Sequence, residues 1–160
     1  MFAGRMRQAA LALALALAFA GPAAYGQAAH DHGHAAGEVK LVLNQGQKWT
    51  TDAPLRQGME NIRGALAKGV KAIHANKATA KQYEALAAKV TGEVAGIVQN
   101  CKLPPEADAQ LHIVVAELMA GAEAMEGKEQ GVARRAGAVR VVKALNAYGE
   151  YFDHAGWKRL

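Results

Sequence analysis

Apolar residues recur along most of this chain at spacings of three and four. Leu55, Met59, Ile62, Leu66, Val70 and Ile73 form the first series, and Arg56, Glu60, Arg63, Lys68 and Lys71 fall on the other faces. Such spacing lays one apolar stripe along an α-helix and predicts a partner surface that covers it. Thr51 and Asp52 can accept bonds from first-turn amides, and Pro54 suits a turn whose amides have no intrahelical acceptor, so the start is well marked. Tyr83, Leu86, Val90, Val94, Ile97 and Cys101 make a second series, with Thr79 as its candidate N-cap. It stops at Lys102-Leu103-Pro104-Pro105, because proline disfavours helical geometry in the residue before it. A third runs through Leu111, Val115, Leu118, Ala122 and Met125, after Glu106 and Asp108, whose charges suit the positive end of a helix dipole. The fourth, from about Val132, carries Ala138, Val142, Leu145, Gly149 and Phe152.

Four helices with short connections predict an all-α fold, an antiparallel up-down-up-down four-helix bundle over residues 49–160. In that order Met59, His112 and Gly149 fall at similar depth near one end, with Trp49, Cys101, Asp108, His154 and Trp157 closer to its rim. The stripes are rich in alanine and glycine, which permit either close helix approach or room for a ligand. Gly149 is open to both readings.

The front of the chain follows other rules. Arg5 and Arg7 precede an apolar run from Ala9 to Ala20 and a break at Gly21-Pro22, the layout of a secretory signal peptide over residues 1–26, and the run is short for a membrane span. Export to the periplasm follows, with no stable membrane insertion after cleavage. Residues 27–48 comprise a histidine-bearing tail and a short extended arm, Val39 to Leu43, laid on the bundle and anchored by Trp49.

Loss of Arg5 and Arg7 with the leader leaves 17 basic against 14 acidic residues, and no Lys/Arg-dense run interleaved with aromatics marks a nucleic-acid surface. Cys101 is the only cysteine, so no intramolecular disulfide forms; its ordinary role would be a small buried hydrophobe. The chain has no serine, which removes Ser-His-Asp chemistry. It also lacks a Glu-x-x-His pair, a His-Glu-x-x-His helix and a phosphate-binding glycine loop, so no enzymatic activity is expected.

His30, His32 and His34 alternate beside Asp31, and an extended chain can gather such imidazoles round one copper or zinc ion. At the bundle end Met59, His112, Cys101 and His154 offer a thioether, a thiol and two imidazoles, donors that suit copper or haem iron. Each also has an ordinary structural role, as core filler or as a boundary or helix-end residue.

The runs LRQGMENIRGAL, ADAQLHIVVAEL and ALNAYGEYF resemble the small periplasmic four-helix-bundle cytochromes of the b type and c-prime type. The resemblance implies non-covalent haem b held by a methionine of helix 1 and a histidine near the end of helix 4. Met59 matches the first, but Gly149 stands where the second would be, leaving His112 or His154 as substitutes. Covalent c-type haem is excluded, since Cys-x-x-Cys-His is absent. The chain also resembles uncharacterised exported proteins encoded with denitrification genes, which implies a haem-less relative of these cytochromes. The expectation is a periplasmic metal-binding bundle with copper or zinc as ligand and a redox or exported protein as partner. The alternatives are a b-type electron carrier and a structural or chaperone-like module.

Overall fold

The computed structural model describes residues 40–160. Among them are four α-helices and no β-strand: α1 (Ala53–His74), α2 (Ala80–Asn100), α3 (Pro105–Glu126) and α4 (Arg134–Tyr151). They pack as a helix bundle in which each neighbours the next along the chain and α4 meets α1, the α3–α4 contact being by far the most extensive. No described helix is long and apolar enough to cross a membrane.

The helix ends follow from local chemistry. Asp52 caps α1, its Oδ1 accepting from the Leu55 amide at 2.9 Å. Thr79 and Gln82 form a reciprocal capping box at the start of α2. Gly127 ends α3 in the left-handed region at φ 78°, where its amide bonds back to the last carbonyls. The fourth helix begins at Arg134, two residues later than the periodicity predicts, because Gly131 at φ 76° and the bond from the Val132 amide to the Glu129 carbonyl keep residues 129–132 in a turn.

The core forms around Leu55, Met59, Ile62 and Leu66 of α1, Val90 and Ile97 of α2, Leu118 and Met125 of α3, and Leu145 and Tyr148 of α4. Val114 is buried where the stripe predicts Val115, and Val141 and Tyr148 are buried where it predicts Val142 and Gly149. At Val141 the cause is glycine. Gly121 and Gly137 let α3 and α4 touch backbone to backbone, so that a Cβ on Gly137 would collide with the Gly121 carbonyl and the Met125 amide. Helices that close together bury faces a single stripe does not define.

Ahead of α1 the chain turns at Gln45 and Gly46, both at positive φ, and returns to the bundle. The Val42 amide donates to Gln110 Oε1 at 2.9 Å, and the Trp49 indole donates to the Val42 carbonyl at 2.6 Å. The Trp49 amide donates to the Tyr151 carbonyl, and the Asp153 amide to the Trp49 carbonyl, both at 2.8 Å. These bonds fasten the entry to α1 onto the end of α4.

Candidate functional site

Two clusters of polar and aromatic side chains stand at the end of the bundle where α1 begins. The first joins the start of α1 to the connection between α2 and α3. Asp52 uses both carboxylate oxygens, Oδ1 for its cap and Oδ2 for the Lys102 amide at 2.6 Å. Burial pushes its carboxyl up, but the bonds from Lys102, Leu55 and the Cys101 thiol, with the nearby Arg56 charge, outweigh this and hold it below the ordinary value. For Cys101 every influence acts the same way. Burial, then the charge and hydrogen bond of Asp52, then the charge of Asp108 push its thiol up to about 12, so it stays protonated.

On α3, one turn separates Asp108 from His112. The imidazole Nδ1 lies 2.9 Å from the Asp108 carbonyl oxygen and 3.4 Å from its Oδ2. A carbonyl oxygen only accepts, so Nδ1 carries the proton and Nε2 is the nitrogen left to act as a ligand. Orientation of one ring nitrogen by an oxygen partner is the usual support for a histidine that ligates through the other. The side chain is 70% exposed. Cys101, Asp108 and His112 line one cavity of about 230 Å³ between α2 and α3, with Ile97, Leu111 and Val115 as its apolar wall.

The second cluster covers Gly149. A Cβ there would collide with Cδ1 and Nε1 of Trp157, so the glycine is a seat for the indole. Trp157 meets Tyr148 edge-on at 4.9 Å, and Tyr148 stacks on Phe152 at 5.2 Å. The Tyr148 oxygen lies 3.0 Å from His154 Nδ1. Burial raises the pKa of the phenol and lowers that of the imidazole, so the hydroxyl donates to a neutral ring. On the outside, the Arg63 guanidinium lies 5.8 Å from the Trp157 ring centroid, at cation–π distance.

Cys101, Asp108 and His112 thus come together, while Met59 and His154 do not join them. Met59 has no exposed surface within the core. His154 is turned onto Tyr148. As packed, these residues do not fit a haem: the methionine is enclosed, and Trp157 occupies the space above Gly149. Among the described residues no three His, Cys, Asp or Glu side chains converge on a common metal position. His30, His32 and His34 lie outside the described residues, as do the expected leader and Val39.

Sequence reasoning passed over two participants. The second oxygen of Asp52 was hidden because a capping role already accounted for the residue. Tyr148 was hidden because the stripe assigned its neighbour Gly149 to the core. Its signal was the cluster Tyr148, Tyr151, Phe152 and Trp157 at the end of an otherwise aromatic-poor chain. The chain matches no family model, no curated protein and no solved structure.

Proposed function

We propose that the chain is an exported, antiparallel up-down-up-down bundle, a haem-less relative of the periplasmic b-type and c-prime cytochromes, that binds copper or zinc. His30, His32 and His34 are the principal donors. The structural observation behind this reading is the Asp108-held imidazole of His112, an exposed side chain that lines a cavity together with Cys101. His112 supplies a further nitrogen donor on the rigid part of the chain. Cys101 can contribute only if the metal displaces its proton, because thiolate is the ligating form. Metal uptake through Cys101 would therefore release a proton.

Support for the haem-less part comes from Trp157 in the seat above Gly149. A bundle closed there serves as a scaffold for a metal-binding tail, and the exchange partner would be another exported protein with exposed metal donors.

Calorimetric titration of the untagged protein with copper(II) and zinc(II) tests the reading. One ion per chain is expected. Replacing His30, His32 and His34 together by alanine should remove most of the affinity, and His112→Ala, which removes a donor, should weaken it by roughly tenfold or more, since even the loss of an outer partner of a ligand costs that much. Unchanged stoichiometry and affinity in both variants would refute it. A stoichiometric Soret band on adding haemin would refute the haem-less assignment separately.

A further inference from the structure

The end of the α1–α2 pair remote from these clusters carries a groove that the metal reading does not use. It holds about 310 Å³. Ile73 and Leu86 form its apolar floor, and Gly69, Ala72 and Ala85 keep its walls low. A Cβ on Gly69 would lie 3.4 Å from Leu86 Cδ1 and 3.6 Å from Ile73 Cδ1, so this glycine sets the depth of the groove and is not needed to avoid a clash. Ile73 is buried and Leu86 half-buried, so the apolar surface is recessed.

The surroundings are strongly basic. Residues 65–89 include Lys68, Lys71, Lys77, Lys81 and Lys89, all exposed, against one carboxylate, Glu84. That carboxylate is engaged by Arg134 at 3.2 Å. Of the two lysines lining the groove, Lys89 is paired with Glu93, whereas Lys68 pairs with no carboxylate among the described residues.

We propose that this groove binds a single-chain anionic amphiphile, with its alkyl chain over Ile73 and Leu86 and its headgroup at Lys68. Size and sign carry the assignment. A volume at the low end of ligand pockets suits one alkyl chain. A membrane-binding face projects apolar side chains outward, whereas here they are sunk between two helices. An excess of lysine selects a carboxylate, sulfate or phosphate headgroup.

The test is calorimetry of the full chain with dodecanoate below its micellar concentration, with dodecyltrimethylammonium and butyrate as controls. One dodecanoate per chain is expected, with no measurable butyrate binding. The cationic homologue should bind roughly tenfold or more weakly, as reversal of a headgroup charge beside Lys68 implies. Lys68→Glu should weaken dodecanoate about five- to tenfold, and Ala72→Trp should abolish binding with the helical circular dichroism intact. If the tryptophan variant does not fold, dodecanoate-induced shifts of the Gly69, Ala72 and Leu86 amides in the native chain decide the location. Equal binding of anion and cation, wild-type affinity in Lys68→Glu, or shifts confined to other residues would overturn the proposal. So would binding to phosphatidylglycerol vesicles without binding to monomeric dodecanoate, which would identify a membrane surface as the partner.

Discussion

The α3–α4 pair and the α1–α2 pair use the same small residues to opposite ends. Between α3 and α4, Gly121 and Gly137 bring the backbones into contact, with Val141 lodged against Gly121. In the first pair Gly58, near the start of α1, seats a side chain instead: Ile97 fills the space its own would take. Elsewhere on that pair the pattern relaxes: Gly64, Gly92 and Gly96 face open space, and Gly69 borders the groove. Glycine count therefore says little about packing. What matters is whether a large side chain or a facing backbone moves into the vacated volume.

Substitution should separate the two behaviours. Gly137→Ala sets a methyl group against fixed backbone atoms and is expected to cost about 2–3 kcal/mol, lowering the melting temperature by on the order of 10 °C. Urea denaturation measures this, and a neutral result would mean that the helices separate easily. Asp52→Ala removes the α1 cap and the acceptor for the Lys102 amide that hold the closed end of the α1–α2 pair, at about 1–2 kcal/mol. Because the folded-state pKa of Asp52 is lowered, its contribution is present above the unfolded value near 3.8 and lost as pH falls through the folded one. The variant should thus lose stability near neutrality and show a flatter acid limb below pH 3.8.

Gly92→Ala should act in the opposite direction to Gly137→Ala, stabilising by about 0.5–1 kcal/mol, since a helical alanine there meets nothing and restricts the unfolded chain. A destabilised Gly92→Ala protein would mean that the outer face of α2 is covered in solution. The smallest effect belongs to His154, against the end of α4. Its folded-state pKa is lowered by burial and by Arg56 and Arg63, against the opposing charges of Glu60 and Asp153. Its contribution is full above the unfolded value near 6.5 and declines as pH falls below that toward the folded value. His154→Asn should remove a shallow acid slope in melting temperature just below pH 6.5.

The helices and most of their ends were legible because their signals are local. Asp52, Thr79 and Gly127 act on amides or carbonyls within a turn of themselves, and the apolar spacing of α1 agrees closely with what is buried. Where burial departs from the stripe the partner is remote: Val141 lodges against Gly121 on another helix, and Tyr148 meets Trp157 beyond the end of its own. The candidate site shows the same division. The proximity of Asp108 and His112 follows from one helical turn, whereas Trp157 over Gly149 depends on how the chain folds back after α4, which no spacing records. Gly149 was open to two readings in the sequence for that reason.

Both tryptophans sit at one extremity of the molecule, Trp49 bonded to the end of α4 and Trp157 resting on Gly149 beside His154. Intrinsic fluorescence is therefore a local gauge. It registers loosening where the termini of α1 and α4 meet and is nearly blind to the lysine-rich groove. Fluorescence and circular dichroism transitions should coincide if the bundle unfolds as a unit. If the groove end melts first, circular dichroism will fall while the indoles still report a native environment.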